Sequence, residues 1–291
     1  MKLKTILLFF IILSQSFALG RNPLINRGFY DRYFGRPDTN YSLFISNKEH
    51  LTERLLSSAS DLEELQSLCS RKKFPVSNVY VELDNYQLFR NELNSFLHIM
   101  AKHNIKTYYV IQTDNSTANT KAAEQTVADF VSFNNTLQFS FTGLHISYNP
   151  SANYTTLDNA LLNSELSFLE KVNSLRRKTK LQLSAILPNH FALQEYTEKY
   201  LPKFFNYLNT VIAYQPSINS DTDNSLLDYA EEVKTEFLIT PEYNSSFPQA
   251  ERKVMLQTYL EWVSSIQKKY KMFNSVVLSY EDFKELSTVQ L

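Results

Sequence analysis

From residue 41 onward the chain alternates short apolar runs with longer stretches whose apolar residues recur every three or four positions. The short runs are YSLFI (41–45), NVYVELD (78–84), KTYYVIQT (106–113), TGLHIS (142–147), LQLSAIL (181–187), TVIAYQ (210–215), TEFLIT (235–240) and NSVVLSY (274–280). Most are rich in β-branched or aromatic side chains, as a pleated, half-buried strand prefers. Between them lie helical patterns. Leu51, Leu55, Leu62, Leu65 and Leu68 mark the first, and Leu88, Phe89, Leu93, Phe96, Leu97 and Met100 the second. A weaker third covers 121–133, and Leu162, Leu166, Leu169 and Val172 mark a fourth. Shorter patterns near 195–208 and 224–234 precede a seventh marked by Met255, Tyr259, Trp262, Val263 and Ile266. All have the spacing of one buried helix face. Eight strands alternating with helices predict a (β/α)8 barrel in a single domain over 41–291, with an open doubly wound sheet as the competitor.

Glycine decides against the competitor's usual chemistry. The chain has 4 glycines, and Gly143 is the only one after Gly35. A loop that closes backbone amides around a phosphate needs several. No cofactor is expected.

The first residues follow a different pattern. Lys2 and Lys4 precede an apolar run from Thr5 to Leu13, and Ser16-Phe17-Ala18 supplies small residues for cleavage. This predicts a signal peptide over 1–18, a lead-in over 19–40, and a secreted or secretory-lumen protein. The run is too short for a comfortable membrane span, and no later stretch is long enough, so no membrane span is expected after cleavage. Asn40, Asn115, Asn134, Asn153 and Asn244 stand in glycosylation sequons, which export would make usable.

Cys69 is the single cysteine, so neither an internal disulfide nor a cysteine-based zinc site can form. Its place among Leu62, Leu65 and Leu68 predicts a buried, inert thiol. The formal net charge is −1 with no basic block, which argues against nucleic acid as a partner. A monomer is expected, with no metal.

In a (β/α)8 barrel chemistry sits at the C-terminal ends of the strands. That leaves Glu82 and Asp84, which end strand 2 on one shared face, Gln112 on strand 3, and His145, Ser147 and Asn149 along strand 4. Tyr214 is on strand 6, Glu242 follows strand 7, and Tyr280 ends strand 8 with Glu281 and Asp282 next. A lone inward histidine such as His145 is more often a satisfied core group than a metal ligand.

Strand 4 carries a resemblance. FTGLHISYNP (141–150) resembles the fourth-strand motif of chitinase-like glycoside hydrolases, roughly DGhDhDhE with h apolar. It resembles more closely the GIHLDIEP strand of a group of uncharacterised bacterial barrel proteins, which Gly143, His145 and Pro150 match. Tyr214 resembles the sixth-strand tyrosine of both groups, and Glu242 a seventh-strand glutamate of the second. The final LSYEDFKEL looks like that group's eighth strand, where histidine often stands at the position of Ser279. The resemblance implies an oligosaccharide ligand, with His145, Tyr214, Gln112 and Tyr280 contacting it.

The departures bear on activity. In those families the last two inward residues of strand 4 are Asp and Glu, and here they are Ser147 and Asn149. The glutamate is the general acid that protonates the leaving oxygen, and the aspartate raises and positions its proton. A carboxamide cannot donate that proton, and losing one such group costs about 10²–10⁴ in rate. The expectation is a catalytically degenerate glycoside hydrolase-like barrel that binds carbohydrate or another partner. An active glycosidase using Glu242 with Glu82 or Asp84 remains an alternative, as does a structural secreted protein without a small ligand.

Overall fold

The computed structural model describes residues 40–71, 74–113, 120–148, 159–177, 179–187, 199–215, 221–233, 235–241, 263, 267 and 269–288. In chain order these form β1 (Asn40–Ile45), α1 (Leu51–Ser57), α2 (Ala59–Cys69), β2 (Val76–Val81), α3 (Arg90–Lys102), β3 (Lys106–Thr113), α4 (Thr120–Asn134) and β4 (Gly143–Tyr148). There follow α5 (Asn159–Arg176), β5 (Gln182–Leu187), α6 (Leu201–Phe205), β6 (Thr210–Gln215), α7 (Asp221–Val233), β7 (Glu236–Pro241), β8 (Phe273–Ser279) and α8 (Tyr280–Thr288). The eight strands pair in sequence order and the sheet closes, with β1 parallel to β8 through Tyr41–Val276 and Leu43–Leu278. The closure rules out an open doubly wound sheet. Among the described residues no helix is long and apolar enough to cross a membrane.

Three of the differences from the sequence pattern have a local reason. The leucines from 51 to 68 form two helices, because Ser58 is extended (φ −106°, ψ 117°) and its Oγ accepts the Asp61 N–H at 3.3 Å, capping α2. Strand 2 runs over 76–81 where 78–84 was expected. Its ladder with β1 ends at Ile45–Val81, after which the Glu82 N–H donates to the Ile45 carbonyl and the chain turns through Asn85 in the left-handed region (φ 49°). Tyr280 opens α8 instead of ending β8, since Ser279 Oγ accepts the Asp282 N–H at 3.1 Å and starts the helix.

The barrel interior is filled by rings set against small side chains, which is how a closed eight-stranded sheet reaches close packing. Tyr80 and Tyr108 stack with centroids 4.9 Å apart, and His145 meets Tyr80 edge-on at 5.0 Å. Ser42, Ser184 and Ser275 are fully buried beside them. Gly143 is required by close approach: a Cβ there would lie 2.6 Å from both the Tyr108 ring and the Gln182 carbonyl. The end where the strands begin is closed by polar groups. Glu236 accepts from Thr210 Oγ1 at 2.8 Å, from Lys106 Nζ at 3.4 Å and from Asn274 Nδ2, which joins the first residues of β3, β6 and β7 to β8. Outside the sheet, Cys69 is buried and its thiol is pushed up to about 12 by that burial, which keeps it protonated.

Candidate functional site

At the C-terminal mouth a half-open cavity of about 280 Å³ is lined by Phe44, His145, Ser147, Ile186, Ile212, Thr240, Val277, Leu278, Ser279 and Asp282. The strands β1, β4, β5, β6, β7 and β8 each contribute, and α8 adds Asp282. Apolar walls with a few polar groups are what small-molecule sites present.

His145 forms part of the base. It is 1% exposed, and its Nδ1 lies 3.0 Å from Ser184 Oγ. Burial pulls its pKa down to about 3, so the ring is neutral near pH 7. It is a hydrogen-bonded core group that also faces the cavity. Ser147, one turn of the pleat further along β4, is half-buried at the cavity wall. Asp282 enters from the first turn of α8. Its backbone N–H donates to Ser279 Oγ, and the Ser279 hydroxyl donates to its Oδ2. Burial, with Glu285 one turn on, pushes its pKa up to about 6.

The other side of the mouth holds more carboxylates, all engaged. Glu82 Oε2 accepts from Ser46 Oγ at 3.0 Å and the Asn47 N–H at 3.4 Å, and Oε1 accepts from Gln112 Nε2 at 2.7 Å. Asn47 Nδ2 donates to Asp84 Oδ2 at 3.1 Å and to Glu53 Oε1 at 3.3 Å. The expectation that Glu82 and Asp84 share a strand face is corrected: both lie beyond the end of β2 and are joined through Asn47.

Of the expected ligand contacts, the structure brings His145 to the cavity together with Ser147. Gln112 is exposed and spends its amide on Glu82. Tyr280 is corrected: it is 4% exposed and does not line the cavity. Burial raises its pKa to about 12, with Glu64, Asp61 and Cys69 of α2 adding to the shift, so its ring belongs to the packing between α8 and α2. Tyr214 lies on β6, but its side chain is outside the described residues, as are Asn149 and Glu242. Among the sequons, Asn40 begins β1 with Nδ2 3.5 Å from Asn274 Oδ1. Asn134 is corrected as a glycan acceptor: it is 3% exposed, and its Oδ1 takes the Phe141 N–H at 2.9 Å. Asn115, Asn153 and Asn244 lie outside the described residues. Among the described residues no three His, Cys, Asp or Glu side chains gather as a metal site.

Asp282, expected just after strand 8, does reach the cavity. Sequence reasoning missed Phe44, Ile212 and Thr240, which carry no signal beyond strand alternation.

No family model matches the sequence, and no curated protein matches it. Solved structures do. The virulence factor SghA in complex with its substrate analog salicin matches over 89% of this chain and 90% of its own, at 9% identity and TM-score 0.52. The 3-keto-D-glucoside 4-epimerase YcjR from E. coli matches over 79% and 99%, at 12% identity and TM-score 0.50. The catalytic domain 2 of an Ostrinia furnacalis group II chitinase matches over 70% of this chain and 63% of its own, at 11% identity and TM-score 0.43. At these identities the likeness is one of fold: the chain is a (β/α)8 barrel. Such barrels carry many chemistries.

Proposed function

We propose that the protein is a secreted, non-hydrolytic barrel that binds a carbohydrate ligand in the mouth cavity. The observation that carries this is the placement of the acids. Among the described lining residues Asp282 is the one carboxylate, while both oxygens of Glu82 are held by Ser46, Asn47 and Gln112. In most glycoside hydrolases two carboxyl groups lie roughly 5–10 Å apart across the scissile bond. Ser147, where the resembling families carry Asp, supplies neither charge nor a usable proton. The walls suit a sugar, which presents apolar ring faces and a rim of hydroxyls: Phe44, Ile186, Ile212 and Val277 offer apolar surface, and Ser147, Thr240 and Ser279 offer hydroxyls. Two structures of the same fold, SghA with its substrate analog salicin and the 3-keto-D-glucoside 4-epimerase, support the reading of a small polar ligand.

The test is made on purified, secreted, mature protein, with a glycan array followed by calorimetry and a parallel turnover assay on aryl glycosides and chito-oligosaccharides. Binding without turnover is expected. Turnover that disappears in Glu242→Gln would replace this reading with an active glycosidase. Absence of binding to any glycan would leave a structural protein.

A further inference from the structure

We propose that the end of the barrel opposite the mouth carries a second binding surface, a basic patch on the turn between α5 and β5 that docks a sulfated polysaccharide through Arg177 and Lys180. This goes beyond the mouth cavity and takes from the reading above only that the chain is secreted.

The argument begins with where charge is placed. The formal net charge is −1, yet RRKTK (176–180) sets four cations in five positions. A short run of this kind suits a polymer that bears sulfate or phosphate groups. Helix α5 ends at Arg176 and β5 begins at Gln182, so the run lies where the strands enter the barrel. The mouth end carries Glu53, Glu82 and Asp84 instead. A polyanion is therefore drawn to one end of the molecule and repelled from the other.

Basic residues often close a helix because they offset its negative end. Arg176 has that role. Its Nε donates to Asn173 Oδ1 at 3.1 Å, one terminal nitrogen donates to the Leu181 carbonyl at 2.9 Å and Asn209 Oδ1 at 3.0 Å, and the other to the Tyr207 carbonyl at 3.2 Å. Thr179 fixes the turn, since its N–H and its hydroxyl both donate to the Arg176 carbonyl, at 2.8 Å and 2.7 Å. Arg177 and Lys180 are left exposed on this turn. Among the described residues neither is in an ion pair, whereas Lys171, earlier on α5, is paired with Glu124 of α4 at 3.4 Å. Burial first and Arg177 second lower the Arg176 pKa, so the two guanidinium groups feel each other. Tyr207, whose carbonyl holds Arg176, also lines a surface groove of about 290 Å³ between α5 and α6 together with Lys203 and Glu170. Glu170 makes that groove unsuitable for an anion, which places the polymer over the turn.

The patch favours a polysaccharide over a membrane. Binding to a lipid surface scales with buried apolar area as well as with charge. Among the described residues the exposed large apolar side chains are Leu88, in the turn after β2 at the mouth, and Val233, which is 38% exposed at the end of α7. Sulfate groups need cations alone, and a guanidinium meets an oxyanion with paired donors.

The experiment is calorimetry on the full secreted chain with a heparin dodecasaccharide, with the same oligosaccharide stripped of its sulfates, and with vesicles containing phosphatidylserine. Heparin binds at about 0.1 M salt and is released at about 1 M, where the screening length falls to about 3 Å. The desulfated form does not bind. Arg177→Gln combined with Lys180→Gln weakens heparin binding about tenfold, the joint loss of two exposed charge contacts. Lys171→Gln changes it much less, because Glu124 already neutralises that charge. Absence of heparin binding at about 0.1 M salt overturns the inference and leaves the mouth reading, tested on neutral glycans, intact. Equal binding of the desulfated form also overturns it, since charge is then not what is recognised. An affinity unchanged in the double variant removes the turn as the docking surface. Vesicles that bind more tightly than heparin replace the polysaccharide with a membrane. If the double variant does not fold, Arg177→Gln and Lys180→Gln singly decide: each weakens heparin binding about threefold, and no change in either overturns the proposal.

Discussion

The two sides of the barrel mouth differ in where their carboxylates sit. On the side of β1–β3, Glu53, Glu82 and Asp84 are tied into one network through Asn47, and Gln112 closes it. On the side of β4–β8 there is a cavity with one acid among its described lining residues, Asp282, and a buried neutral histidine at its base. The side richer in acids is thus the worse candidate for acid chemistry. The carboxylates of the first side position their loops, whereas Asp282, capped by Ser279, also borders the cavity.

The largest effect should come from the dry base of the open side. His145 has a folded pKa of about 3 against about 6.5 when unfolded. The unfolded chain therefore binds the extra proton first, and stability falls as pH drops from about 6.5 toward 3. The loss amounts to about 4 kcal/mol by pH 3.5. Urea denaturation of wild type and His145→Gln across this range should show a steep acid slope in the first and a shallower one in the second. Parallel slopes would mean that His145 is hydrated.

Next comes the seam between the two sides. Tyr108 of β3 packs directly on Gly143 of β4, and the Gln182 backbone carbonyl limits the same space. Since a backbone carbonyl cannot rotate away, Gly143→Ala should cost about 1–3 kcal/mol, the usual range for overpacking. An unchanged denaturation midpoint would show that the strands can separate here without penalty.

The closed side gives a smaller effect of a different kind. Glu82→Gln keeps the shape but removes the charge from three hydrogen bonds, so stability should fall by about 1–2 kcal/mol. Ligand affinity should stay within twofold, because Glu82 does not line the cavity. A large loss of affinity with little loss of stability would return Glu82 to the binding site.

How legible this arrangement is in the sequence differs from element to element. Strand 3 was expected over 106–113 and spans those residues, since alternating aromatic and β-branched residues with a polar boundary at each end leave little choice. The closure of eight strands followed from their count. Where the reading failed, the deciding interaction was a single hydrogen bond or a partner far along the chain. Ser58 splits the first helix with one side-chain bond, and β2 stops where β1 can no longer pair with it. Tyr280 was counted as strand because its apolar run continues β8, yet Ser279 caps a helix there. The sequon at Asn134 is a three-residue pattern, and no such pattern reveals that the side chain is buried against Phe141. The cavity draws on six strands and one helix, so His145, Ser147 and Asp282 could be singled out at strand ends but Phe44, Ile212 and Thr240 could not be grouped with them.

The smallest effect tests whether Asp282 differs in its surroundings from the acids opposite. Asp282 has its folded pKa raised to about 6, against about 3.9 unfolded. A carboxyl shifted upward contributes its stability fully below the unfolded value and loses it as pH rises through the folded one, so the window is about pH 4 to 6. Replacing it with asparagine removes this titration while keeping an oxygen for the Ser279 hydroxyl. The variant should therefore gain on wild type as pH rises, and at pH 7 it should be more stable by less than about 1 kcal/mol once solvent screening is allowed for. Part of that gain is offset by loss of the favourable charge in the first turn of α8. Thermal melts of wild type and Asp282→Asn at pH 4, 5, 6 and 7 measure the difference directly. A difference in Tm that is constant over these pH values would mean that the Asp282 carboxyl is as well solvated or as well bonded as Glu82, and the contrast between the two sides of the mouth would reduce to shape alone.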